Sequence, residues 1–171
     1  MSACKIQSYN CIRAAIFGKK PTWLNRIISL RSKPQVHTEF QFSRRYNGIS
    51  FSATKQEGSN CARFKAIWYS HAKERWDTVI VPMTDEEEDM AYLEAQYLEG
   101  TAYDLAGQLC HLLKLRLWKP SRKKIWCTKA VAKVIYKARP RFFEFLDKFN
   151  LTEELRPDQM DMMSRYYFEN L

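Results

Sequence analysis

The feature that most constrains the fold is a strict alternation of side-chain character between positions 36 and 42. One set comprises Val36, Thr38, Phe40 and Phe42, and the other comprises His37, Glu39 and Gln41. A period of two is typical of a β-strand with one apolar face, and it places His37 and Glu39 on the same face. Tyr46-Asn47-Gly48 is a turn signal, and residues 49–54 alternate again. The pattern therefore predicts a β-hairpin.

The rest of the chain predicts an α+β fold in which a small antiparallel β-sheet packs against helices. Runs with β-character are Cys11–Phe17, Phe64–Tyr69 and Thr78–Val81. Helices are expected at Trp23–Leu30, from Thr84 to Gly100, at Tyr103–Leu117, at Trp126–Ala138, at about Phe142–Phe149 and, in a short form, after Pro157.

An acidic run at Asp85–Asp89 follows Thr84, and Glu87 stands three residues after that threonine. Thr-x-x-Glu is the pattern of a capping box, in which each side chain bonds to the other residue's backbone N–H. Carboxylates also suit the positive end of a helix dipole. The run therefore predicts a helix start and not a metal site.

The cysteines argue for a chain of free thiols. There are five, at positions 4, 11, 61, 110 and 127, and none forms a Cys-x-x-Cys pair. An odd number without that spacing favours neither a disulfide framework nor a zinc site. The apolar stretch Ala14–Phe17 is far shorter than a signal-peptide core or a membrane span. We expect a cytoplasmic protein with no signal peptide and no transmembrane segment.

A basic stretch raises the question of a polyanionic partner. The net charge is +9, and the densest cluster comprises Lys114, Arg116, Lys119, Arg122, Lys123 and Lys124. Clustered Lys and Arg can neutralise phosphates and bind nucleic acid, anionic lipid or an acidic polymer. A solvated helix face and loop with no ligand fits the same pattern.

Cys127 and His37 are the residues that best fit thiol chemistry. Cys127 stands at a predicted helix start, close after Lys123 and Lys124. A helix N-terminus and neighbouring cations both lower the pKa of a thiol. His37 shares a strand face with Glu39, and a carboxylate beside an imidazole can fix its tautomer. A buried structural cysteine and a polar edge-strand face are the alternatives that the residues leave open.

A competing pair, Cys110 and His111, is adjacent in sequence. Neighbouring helical residues point about 100° apart and do not face each other. We therefore expect Cys110 to belong to the core.

Several short motifs, taken in order, resemble the circularly permuted NlpC/P60 (papain-like) thiol hydrolases, with phage-encoded members the most similar. The motifs are Val36-His37-Thr38-Glu39-Phe40, Phe51-Ser52-Ala53-Thr54, Arg63-Phe64-Lys65, Trp76-Asp77, Gly100-Thr101-Ala102-Tyr103-Asp104-Leu105-Ala106-Gly107 and Trp126-Cys127-Thr128-Lys129. The resemblance implies one domain over residues 1–171, with a permuted papain-like core at about 11–138 and a C-terminal helical extension at about 141–171. A phage-encoded protein of this kind would act in the host cytoplasm or in the virion.

The resemblance also implies roles for particular residues. Cys127 would be the nucleophile, at a helix N-terminus, and His37 its base. Glu39 would orient His37, and Ser52 on the paired strand is the alternative for that role. Tyr103 and Asp104 would lie at the cleft.

Two departures and alternatives bear on the function. The family often carries an acid two residues after Cys-Ser, whereas this chain has Cys127-Thr128-Lys129. The expected activity is hydrolysis or acyl transfer at an amide, ester or thioester bond of a peptide, lipid or other acyl substrate, with no cofactor and no metal. The alternative is a non-catalytic protein of the same fold that binds nucleic acid or a host protein through the basic stretch.

Overall fold

The structure is a computed structural model and describes residues 2–16, 22–32, 34–55, 59–67, 73–113, 121, 123–152 and 154–170. Its strands are β1 (Ser2–Asn10), β2 (Gln35–Gln41), β3 (Ser50–Thr54), β4 (Cys61–Lys65) and β5 (Trp76–Met83). Its helices are α1 (Cys11–Ile16), α2 (Trp23–Ser29), α3 (Asp85–Leu98), α4 (Leu105–Leu113), α5 (Cys127–Ala138), α6 (Pro140–Asp147) and α7 (Pro157–Phe168). The α+β class is thereby confirmed.

The strands form one antiparallel five-stranded sheet in the order β4-β3-β2-β1-β5. The predicted hairpin is present as β2 and β3, in which Phe40 pairs with Phe51. Asn47 has a left-handed backbone conformation with φ of 55° at the turn, which Asn tolerates better than most residues. The alternation therefore predicts this part of the sheet correctly.

The N-terminal segment differs from the expectation. β1 is an inner strand that pairs with β2 on one side and with β5 on the other. The predicted β-run at 11–17 is wrong for residues 11–16, which form α1. Asn10 begins this helix, because its Oδ1 accepts a hydrogen bond from the backbone N–H of Arg13 at 3.0 Å. Residue 17 lies outside the described residues.

Two other strand predictions are displaced. The run predicted at 64–69 is observed as β4, which ends at Lys65, and residues 68 and 69 lie outside the described range. The run predicted at 78–81 is the middle of the longer β5.

The helices largely follow the predicted pattern. The capping box is present at the start of α3: Glu87 N–H donates to Thr84 Oγ1 at 3.2 Å, and Thr84 N–H donates to Glu87 Oε2 at 2.8 Å. The helix expected from Tyr103 begins instead at Leu105, and positions 114–117 lie outside the described residues. The short helix expected after Pro157 has 12 residues.

The core lies between the sheet and the helices. α5 packs against β2 and β3, α3 packs against α5, and α7 packs against β2 and β5. Fully buried aromatic and aliphatic side chains fill this space. The largest are Trp126, Phe40, Phe42, Phe51 and Phe142. α5 is thus fixed against the strand that carries His37.

The acidic run has structural partners. Glu88 is fully buried and accepts hydrogen bonds from Ser43 N–H at 2.7 Å and from Ser43 Oγ at 2.9 Å. Asp89 is paired with Arg45. These bonds tie α3 to the end of the β2 strand.

Within the described ranges, no helix combines the length and the apolar character that crossing a membrane requires.

Candidate active site

Cys127 is the first residue of α5, and its side chain is fully buried. The helix buries Val131, Val134 and Ile135, so its apolar stripe holds it against the sheet. Trp126, the N-cap residue, gives no side-chain hydrogen bond to the first turn of α5. The N–H groups at this turn keep the partial positive charge of a helix N-terminus next to the thiol.

His37 lies between Cys127 and Glu39. Its ring hydrogen-bonds with the Cys127 side chain, and its Nε2 stands 3.1 Å from Glu39 Oε1. His37 is on β2, where it pairs with Tyr9 of β1. The structure therefore brings together the three residues that the sequence predicts as nucleophile, base and orienting carboxylate.

The pKa of His37 reflects competing effects. Burial acts to lower it, because a charged imidazolium loses hydration. Hydrogen bonds to Cys127 and Glu39, together with their negative charges, outweigh burial and raise the pKa of His37 from its ordinary 6.5 to about 10. The ring is consequently protonated at neutral pH.

The two sides of the pair differ in exposure. The His37 side chain is 22% exposed, whereas Cys127 has no exposed surface. Trp76 flanks the ring, with centroids 6.3 Å apart, and Tyr9 packs edge-to-face on Trp76 at 5.2 Å. A substrate therefore approaches the thiol from the His37 side, along an aromatic wall.

Ser52, the alternative orienting residue, is bonded elsewhere. Its hydroxyl donates to the backbone carbonyl of Thr38 at 2.6 Å. This bond ties β3 to β2 next to His37. The Ser52 proton is thus committed to the backbone.

Asp104 has a structural role at the start of α4. Its Oδ1 accepts from Gly107 N–H at 2.9 Å, and its Oδ2 accepts from Ser121 N–H at 2.8 Å. A Cβ at position 107 would stand 2.7 Å from Asp104 Cγ, so the carboxylate occupies the space that glycine leaves. This close approach explains the Asp-x-x-Gly spacing.

Tyr103 lies beside the segment that leads into α5. It forms a parallel bridge with Ile125, and its hydroxyl donates to Gln108 Oε1 at 2.6 Å. Burial raises the pKa of Tyr103 well above its ordinary value, and the neighbouring charge of Cys127 raises it further. Tyr103 therefore borders the thiol.

Lys129, which departs from the family pattern, has an acidic partner. Its Nζ donates to Glu154 Oε1 at 3.2 Å and stands 5.2 Å from the centre of the Trp126 ring. Thr128 Oγ1 accepts from Trp126 Nε1 at 2.9 Å and donates to the backbone carbonyl of Leu155. The segment before α7 thus holds the first turn of α5.

The competing residues do not assemble into a second dyad. The His111 ring stacks on Trp126 with centroids 5.9 Å apart. Burial lowers the pKa of His111, and the nearby Arg156 charge lowers it too, against a smaller opposing effect of Glu154. Cys110, expected in the core, is half-buried.

The basic stretch lies mostly outside the described residues. Lys114, Arg116, Lys119 and Arg122 are among the positions not described. Lys123 and Lys124 are exposed. The polyanion partner stays a prediction.

Two neighbours of the site are absent from the sequence-predicted roles. Trp76 belongs to a motif of the resemblance, yet only the sheet register, which pairs it with Tyr9, brings it to His37. Gln108 is 2% exposed on α4. A glutamine on the apolar stripe of Leu105 and Leu112 was the available signal for a buried polar residue.

Comparisons with protein families, with curated proteins and with solved structures found no match to this chain.

Proposed function

We propose that this chain is a thiol hydrolase or acyltransferase with a permuted papain-like (NlpC/P60) fold. Cys127 is the nucleophile, His37 the acid-base residue and Glu39 the carboxylate that orients His37. The observation that carries the proposal is the position of the His37 ring, bonded to Cys127 and to Glu39.

The geometry supports a division of labour between the ring nitrogens. Because Nε2 faces Glu39, Nδ1 is the nitrogen that remains for Cys127. A protonated His37 then donates one N–H to the carboxylate and the other to sulfur. An imidazolium beside a helix N-terminus stabilises the thiolate, which is the reactive form of cysteine.

The reaction proceeds in two steps. The Cys127 thiolate attacks the carbonyl carbon, a C–S bond forms, and the carbonyl oxygen takes the negative charge. His37 gives its proton to the leaving group, the bond to that group breaks, and a thioester remains on Cys127. Water or another acceptor then gives a proton to neutral His37 and attacks the thioester, which releases the acyl group and restores the thiolate–imidazolium pair.

The test is acylation by 4-nitrophenyl acetate, located by mass spectrometry of peptides. We expect acetylation at Cys127, its loss in Cys127→Ala, and a rate at least about 100-fold lower in His37→Gln, since general acid–base catalysis contributes roughly 10²–10⁴-fold. Cys61→Ala and Cys110→Ala are the matched controls and should retain the wild-type rate at Cys127. Acetylation confined to Cys61 or Cys110 would refute the assignment.

A further inference from the structure

Gln108 lies against the start of α5. Tyr103, whose hydroxyl bonds to Gln108, is bridged to Ile125. His111, one turn beyond Gln108 on α4, stacks on Trp126. Gln108 is therefore bracketed by contacts to the two residues that precede Cys127.

The amide of Gln108 has a free donor. Its Oε1 accepts the Tyr103 hydroxyl at 2.6 Å, and within the part of the chain that the structure describes its Nε2 has no hydrogen-bond partner. The residue is 2% exposed. A buried N–H₂ without a partner costs about 1–3 kcal/mol, so its retention calls for a ligand.

We propose that Gln108 is a catalytic residue whose Nε2 donates a hydrogen bond to the carbonyl oxygen of the substrate as that oxygen becomes negative. The inference rests on the proposed function. The backbone N–H of Cys127, in the first turn of α5, is the second donor. Tyr103 is a positioning residue, because its hydroxyl holds Oε1 and so presents Nε2 towards the site.

The chemistry fits an oxyanion and not a stable anion. An amide donor in a water-excluded site stabilises charge that develops only during the reaction. The proton transfers stay with His37, and Gln108 neither gains nor loses a proton. Removal of one such donor typically lowers the rate about 10²–10³-fold.

The experiment compares two reactions of the same thiol. Acylation of Cys127 by 4-nitrophenyl acetate passes through an oxyanion, whereas alkylation by iodoacetamide is a displacement at a saturated carbon and forms none. Gln108→Met keeps the volume and removes the donor. We expect acylation to fall about 10²–10³-fold while alkylation stays within about twofold. Tyr103→Phe should lower acylation less, about tenfold, with alkylation also retained.

Ser8→Ala is the matched control, since Ser8 Oγ is likewise buried and unpartnered among the described residues. It should change neither rate. Equal losses in both reactions, no loss in Gln108→Met, or a larger loss in Tyr103→Phe than in Gln108→Met would overturn the role of Gln108. Acylation that survives Cys127→Ala would instead refute the proposed function itself. Circular dichroism confirms that each variant is folded, and Tyr103→Phe decides between the two donors if Gln108→Met is not.

Discussion

At the scale of single residues, His37 is the group whose charge the site controls most strongly. Burial alone would take its pKa below 6.5, so the rise to about 10 requires Cys127 and Glu39. Because both partners favour the protonated ring, removal of either should lower the pKa of His37. Titration of the imidazole protons by NMR should show His37 protonated through neutral pH, and Cys127→Ala and Glu39→Gln should each shift its titration to lower pH.

His111 is an internal reference for this titration, because its pKa is lowered and it should titrate below 6.5 in every variant. The spectrum of His37→Gln assigns the signals. A His37 ring that titrates near 6.5 in the wild type would contradict the proposed network.

Glu39 and Ser52 can be separated by kinetics. Glu39 contacts the His37 ring, whereas Ser52 bonds to the Thr38 carbonyl. Glu39→Gln should slow acylation of Cys127 strongly, by up to about 10⁴-fold, because loss of an orienting carboxylate can select the wrong imidazole tautomer. Ser52→Ala should leave that rate within about tenfold and should lower stability by about 0.5–1.5 kcal/mol, the usual net contribution of one hydrogen bond. The opposite order would transfer the orienting role to Ser52.

At the scale of elements, the start of α4 depends on a glycine. An alanine at position 107 gains about 1 kcal/mol of helix propensity but meets the buried Asp104 carboxylate. Displacement of that carboxylate leaves the N–H groups of Gly107 and Ser121 without their acceptor, at about 1–3 kcal/mol each. Gly107→Ala should therefore lower the free energy of unfolding in urea by about 1–3 kcal/mol.

A double-mutant cycle checks the cause of this loss. In an Asp104→Ala background the clash is absent, so Gly107→Ala should be neutral or should raise stability by up to about 1 kcal/mol. A loss of the same size in both backgrounds would mean that Asp104 is not the obstacle.

The elements that could be predicted from sequence are those encoded by neighbouring residues. The β2–β3 hairpin follows from alternation and a turn, and the start of α3 follows from Thr84 and Glu87. β1 could not be recognised, because its core-facing residues include Ser8 beside Cys4 and Ile6, and its inner position arises from pairing with β2 and β5, which are distant in sequence. In α1, the cap by Asn10 and tertiary packing override local β-propensity.

At the scale of the whole molecule, the candidate site is assembled from distant parts of the chain. The identities of Cys127, His37 and Glu39 were predictable, because each stands in a local pattern that marks a helix start or a strand face. Their contact depends on the packing of α5 against β2 and β3, which no local pattern encodes. The environment of Lys129 was also not predictable, because its partner Glu154 comes from the segment that precedes α7.

The packing of α7 against the sheet makes a prediction about the integrity of the whole fold. Met160 is fully buried, whereas Met162 on the same helix is 58% exposed. The same substitution at both positions changes helix propensity equally, so the difference reports packing alone. Met160→Ala should lower the free energy of unfolding by about 2–5 kcal/mol, and Met162→Ala should stay within about 0.5 kcal/mol of wild type. Urea denaturation followed by tryptophan fluorescence measures both. Equal and small effects would mean that α7 is an appendage; the expected difference would make it part of the core that holds α5, and Cys127 with it, against β2.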